Sequence, residues 1–144
     1  MTKVVYAKTE LLLYEIEKLN FCDIMYITPI DINKNCDDEC NKNIDILENY
    51  INNCVKNNRC FYLIYDISNE SSMIPTKYIL NCVNMFKRNK ENLQKNLIKT
   101  FAVGLGTFIQ TISKVLFLIY TPVRPYEFVT TLEEAKEKLF KLNN

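Results

Sequence analysis

The sequence predicts an α/β domain built on one mixed sheet, and three observations carry that expectation. Three short runs rich in β-branched and aromatic residues open the chain with no helix between them. After them, stripes of apolar residues at three- and four-residue spacing alternate with continuous apolar runs. The most apolar stretch, Lys99 to Arg124, places the chain's two glycines, Gly104 and Gly106, between a strand-like and a helix-like segment.

Val4 to Ala7, Leu11 to Ile16 and Ile24 to Thr28 read as strands separated by the polar breaks Lys8-Thr9-Glu10 and Glu17 to Phe21. Neither break is long enough for a parallel crossover, so an antiparallel meander is expected, followed by a polar loop from Pro29 to Asp38. From Cys40, the positions Cys40, Ile44, Leu47, Ile51, Cys54 and Val55 form one apolar stripe, which predicts a helix from Asp38 to Asn57. Asp37 or Asp38 is its expected N-cap, Glu39 suits the positive end of the helix, and Asn57-Asn58 tolerates the left-handed conformation that stops it. Cys60 to Ile67 is an unbroken apolar run closed by Asp66, the pattern of a central strand covered on both faces.

A second helix is expected from Pro75, which fits a first turn, to about Asn92, with Ile79, Cys82 or Val83, Phe86 and Leu93 buried. Then follow a strand at Ile98 to Val103, a helix at Phe108 to Tyr120 and a short strand at Glu127 to Thr130. A closing helix runs from Leu132 to Leu142, where Thr131 and Glu134 match the capping box. The order gives antiparallel N-terminal strands, parallel central strands and four helices packed on them.

At 144 residues with 48% hydrophobic content, the chain has the size of one domain, taken as residues 1–144. A net charge of +1 with interspersed signs sets up no field that would attract nucleic acid, and the local excess at Lys87, Arg88, Lys90, Lys95 and Lys99 reads as a solvated helix face. The opening residues hold no apolar core of signal-peptide length, so a cytosolic chain is expected. The run Val115 to Tyr120 is far short of the roughly 20 residues that cross a bilayer, so no transmembrane segment is predicted.

The chain has no histidine, which excludes serine-histidine and cysteine-histidine catalysis. Of the six cysteines only Cys36 and Cys40 lie close together, one pair where a zinc site usually needs two, and the rest fall on apolar stripes or strands. Asp37, Asp38 and Glu39 suit a helix N-terminus better than a calcium loop. Gly104-Leu105-Gly106 lacks the remainder of either nucleotide-binding glycine motif and reads as a strand-to-helix turn. No metal and no cofactor are expected. Ser68, Ser71 and Ser72 follow the central strand, where they suit caps and turns and are also placed for phosphorylation.

Three pieces of the chain are similar to a known group. Phe61 to Ser68 (FYLIYDIS) is a strand ending in Asp; Lys99 to Pro125 is a strand and then a helix; Tyr126 to Leu139 (YEFVTTLEEAKEKL) is an aromatic strand, an acidic pair, Ala and a helix. In this order they resemble the STAS-like domains, the anti-sigma-factor antagonist fold, and the related CRAL-TRIO lipid-binding domains. The resemblance covers about Ile24 to Leu142 and implies a non-enzymatic module that binds protein partners, nucleotides or lipids. The family's Asp-Ser-Ser-Gly phospho-motif is absent, the matching region reading SSMIPT at Ser71 to Thr76. The Thr107 to Pro125 region is similar to the lipid-covering helix of CRAL-TRIO domains, without their long N-terminal helical region.

The expected function is therefore a non-catalytic binding module. Phe108, Ile109, Ile112, Val115, Leu116 and Ile119 make one buried helix face, leaving Phe117, Leu118 and Tyr120 over. With Arg124 these form the expected partner surface, for a protein, a second copy of the chain or a lipid. Asp66, Ser68, Ser71, Ser72 and Thr76 form the expected ligand or phosphorylation loop beside it. The alternative is a CRAL-TRIO-like lipid or membrane-surface domain. A third reading, an enzyme of unnamed reaction, would use Asp66, Tyr65 and Arg124, polar residues near strand ends where open α/β sheets place ligands.

Overall fold

A computed structural model describes residues 3–34, 36–68, 76–104 and 116–142. The architecture is α/β, as the pattern predicts. Six strands, β1 (Val4–Lys8), β2 (Leu12–Lys18), β3 (Cys22–Pro29), β4 (Cys60–Asp66), β5 (Leu97–Val103) and β6 (Tyr126–Val129), lie in one sheet in chain order. The first three pair antiparallel and β3 through β6 pair parallel.

Because each parallel strand is added on the same side of its predecessor, right-handed crossovers send their helices to one face. That face carries α1 (Asp37–Lys56), α2 (Thr76–Arg88) and α3 (Lys90–Asn96), whose Leu47, Ile51, Tyr78, Cys82, Met85 and Leu93 share a core with Met25, Leu63 and Tyr65. Helix α4 (Leu132–Leu142) follows β6 and lies in no crossover between described strands. Its Ala135 and Leu139 pack on the opposite face, against a cluster that includes Ile24, Tyr26, Tyr62, Ile64 and Phe101.

Strands β2 and β3 extend beyond the expected runs, β2 through Glu17 and Lys18 of the expected break and β3 back to Cys22 and Asp23. Glu17 and Asp23 are buried, Glu17 accepting a 2.7 Å hydrogen bond from the Tyr26 hydroxyl. Asp23 is held from two sides: Tyr50 donates its hydroxyl to Oδ2 at 3.2 Å, and Arg59 donates to Oδ1 through Nε at 3.1 Å and Nη2 at 2.6 Å. Arg59 also reaches the carbonyls of Leu19 and Cys22 at 2.8 and 2.9 Å, so one guanidinium closes the β2–β3 turn.

Helix α1 starts one residue earlier than expected. Cys36, in extended conformation, is its N-cap and makes no side-chain capping bond, which leaves Asp37, Asp38 and Glu39 inside the first turn. The Glu39 carboxylate instead accepts from the backbone N–H of Glu10 at 3.0 Å, tying α1 to the β1–β2 turn. The other end matches the expectation: Asn58 has φ 54°, and the N–H groups of Asn58 and Arg59 return to the carbonyls of Val55 and Cys54 in a Schellman motif.

The second predicted helix is two helices. It breaks at Asn89, whose side-chain amide donates to the Met85 carbonyl at 2.9 Å and to Glu48 on α1, while Arg88 grips Glu48 with two 2.8 Å bonds. Its buried positions are Tyr78, Cys82, Val83 and Met85, with Ile79 and Phe86 only half-buried. Helix α4 has the predicted cap: Thr131 Oγ1 accepts from the Glu134 N–H at 3.1 Å, although the Glu134 carboxylate returns to the Thr130 N–H, one residue before the N-cap. Thr131→Ala should cost about 1 kcal/mol. Thermal unfolding should register this as a fall of roughly 3 °C.

Two carboxylates set an acid limit. Lys138 and Lys99 hold the Glu127 carboxyl below its ordinary value of 4.5, and Arg88 and Asn89 do the same for Glu48. A depressed carboxyl stabilises the fold above its unfolded-state value and ceases to as pH falls through the folded one. The melting temperature should therefore fall on acidification below about pH 4.5, and the double variant Glu48→Gln/Glu127→Gln should show a shallower fall. An identical slope in the variant would remove these two groups as the cause.

Candidate functional site

One row of residues crosses the sheet near the C-terminal ends of its parallel strands. Tyr14 on β2 pairs with Ile27, Ile27 with Tyr65, Tyr65 with Ala102 and Ala102 with Phe128. Alternation points successive side chains to opposite faces, so this row and the one through Thr100 and Tyr126 share the face under α2. An extra residue in β5, at the irregularity opposite Phe61/Tyr62, keeps both Leu97 and Thr100 on that face. The smallest member of the row is Ala102, and above it the helix layer does not close.

What remains is a cavity of about 80 Å3, floored by Tyr65, Thr100, Ala102, Tyr126 and Phe128 and roofed by Tyr78, Ile79, Cys82 and Phe86 of α2. Leu116 and Tyr120, from the helical turn at 116–119 and just after it, close one side together with Pro122 to Arg124. Ile79 and Phe86 are half-buried because they border this space, where packed core positions would be covered. Tyr120 stacks on Phe86 with ring centroids 6.0 Å apart.

The lining is apolar with a small polar centre. Tyr65 is 7% and Tyr78 1% exposed, and neither hydroxyl makes a hydrogen bond of ordinary length and angle, each having only weak partners, the Cys82 thiol for both and the Tyr14 hydroxyl for Tyr78. Each lies near the Cys82 thiol, and Tyr78 also feels Tyr65 and Tyr14. Burial holds both phenols well above their ordinary value of 10 and pushes the Cys82 thiol up to about 12, so all three stay protonated and uncharged. A buried hydroxyl left unpaired costs on the order of 1–3 kcal/mol, and two weakly partnered ones in one cavity each carry part of that penalty. Tyr14, the next tyrosine in the row, is satisfied: its hydroxyl donates to Asn43 Oδ1 at 2.8 Å.

The residues singled out from sequence are placed as follows. Tyr120 and Arg124 line the cavity, and Arg124 Nε donates to the Leu97 carbonyl at 3.0 Å. Phe117 is 43% exposed yet packs edge-on against Tyr126 and Phe128, and Leu118, 85% exposed, is on the surface. Ile119, expected on the buried face, is largely exposed, while Leu116 is buried. Ser68 donates its hydroxyl at 2.6 Å, and its N–H at 3.2 Å, to the Asp66 carboxylate, a local turn that occupies one oxygen. Thr76 is exposed at the start of α2. Ser71, Ser72, Pro75, Gly106 and most of the predicted Phe108 to Tyr120 helix lie outside the described residues.

All six cysteines are free thiols, and among the described residues no group of acidic or cysteine side chains is disposed to hold a metal ion. No described helix is long and apolar enough to cross a membrane. Comparison with protein-family models, curated proteins and solved structures yields no match. Tyr78 and Cys82 were absent from the sequence-derived site. Periodicity places Cys82 or Val83 in the core stripe, and Tyr78 carries no signal beyond being a polar-tipped aromatic one position before that stripe.

Proposed function

We propose that this protein is a non-catalytic binding module that holds a small, largely apolar molecule between α2 and the C-terminal half of β4 to β6. The supporting observation is the apolar cavity over Ala102, which encloses two weakly partnered phenols at the end of the sheet where parallel α/β folds bind ligands. The STAS-like reading belongs to the same proposal. Its support is the order of elements: an antiparallel entry, strands laid parallel in chain order, and a final strand leading to a capped helix.

Methylenecyclopentane, a compact hydrocarbon, is a suitable probe. Titrated into the isotopically labelled protein, it should move the amide resonances around Tyr65, Cys82 and Ala102, and Ala102→Leu should abolish that response. No shift in the wild type, or an equal shift in the variant, would overturn the assignment.

A further inference from the structure

Resting on that reading, we propose that the ligand is a neutral small molecule with one accepting oxygen, of which a ketone is the simplest, bound by the hydroxyls of Tyr65 and Tyr78. Both hydroxyls are buried, without a well-formed hydrogen bond and part of one lining, with the weak Cys82 thiol as their common neighbour. A carbonyl oxygen has two lone pairs and can accept from both phenols at once, which makes good both missing bonds with one atom. A hydrocarbon would leave both donors weakly partnered. Their protonated state at any physiological pH makes them lasting donors, with the weaker thiol of Cys82 beside them.

Charge selects against the other polar ligands. No acidic side chain lines the cavity among the described residues, so an ammonium group would be buried without a counter-charge. Among the described residues Arg124 is the one cation in that lining, and it is tied to the carbonyl of Leu97. Tyr65 pairs with Ala102, five residues further along β5. At strand spacing that is about 16 Å from Leu97. A carboxylate held by the phenols would have to draw Arg124 off the Leu97 carbonyl or be buried without a counter-charge, and either is unfavourable. A neutral acceptor has neither difficulty.

Three probes of similar size separate these cases: cyclopentanone; methylenecyclopentane, which has the same shape with CH2 in place of oxygen; and cyclobutanecarboxylate. In the wild type the ketone should bind about tenfold more tightly than the alkene, and the carboxylate more weakly than the ketone. In Tyr65→Phe/Tyr78→Phe that preference should vanish while the alkene binds at least as well as before. The lost hydroxyls have only weak partners, so the variant should unfold at nearly the same or a higher temperature, and each single variant should lose part of the preference. Equal wild-type affinities for ketone and alkene, a preference that survives in the double variant, or tighter binding of the carboxylate would each overturn the oxygen-reading role and leave cavity binding in place. Absence of binding by both neutral probes would overturn the cavity reading and this inference together.

Discussion

Arg59→Ala is expected to lower the unfolding free energy by about 3 kcal/mol. Arg59 joins two chain reversals that are distant in sequence. It stands directly after the left-handed Asn58 that ends α1, and its side chain reaches back across the sheet to Asp23 and to the carbonyls of Leu19 and Cys22. Removing it strands a buried carboxylate, since Asp23 is only 5% exposed, with the Tyr50 hydroxyl as its remaining donor. In a chain of this size the loss corresponds to a melting temperature roughly 10 °C lower. Asp23→Asn should relieve the charge and recover part of the loss in the Arg59→Ala background. A double-mutant cycle in chemical denaturation measures the coupling, and strictly additive effects would show that the pair contributes nothing jointly.

Ala102→Leu should have the opposite sign. The added carbons enter the space above the sheet between Tyr65 and Phe128, the neighbours of Ala102 in the row. Filling a cavity of about 80 Å3 in this way should stabilise the fold by roughly 0.5–2 kcal/mol and lower the affinity for methylenecyclopentane at least a hundredfold. Gain of stability with loss of binding is the pattern expected of a cavity kept open at the expense of stability. A destabilised variant that still binds would place the probe elsewhere. Isothermal denaturation and the same resonance titration measure the two effects.

Much of the fold was legible because hydrophobic periodicity and end signals are local. The run from Cys60 to Asp66 needed no partner to read as a buried strand, and Thr131 with Glu134 marked the start of α4 to the residue. The features that were missed are set by distant residues. The break at Asn89 depends on Glu48 of α1, which draws both Arg88 and Asn89, and nothing in the local stripe records it. Glu17 falls in the expected break and Asp23 just outside the expected strand because their partners, Tyr26 and Arg59, come from elsewhere in the chain.

The site was harder to read for a related reason. Tyr120, Arg124 and Tyr65 could be picked out as surplus or polar residues near element ends, but an empty space belongs to no residue. It exists because Ala102 is small where its neighbours in the row are large, and that row draws on five strands. Tyr65 counts as an apolar residue in its strand, and only the folded surroundings reveal that its hydroxyl has only a weak partner. The surplus apolar residues of the 108–120 segment divide accordingly, Tyr120 to the cavity wall, Phe117 to the rings of β6 and Leu118 to the surface.

The sheet order also bears on how the molecule is made. Since every strand hydrogen-bonds only to the strands before and after it in the chain, a ribosome releases the pieces in the order in which the sheet can use them. No finished pair has to reopen to admit a later strand, and no loop longer than a single crossover has to close. At each stage the growing edge is the newest strand. The binding floor is completed only when β6 docks on β5, so the cavity cannot form until that strand has left the ribosome.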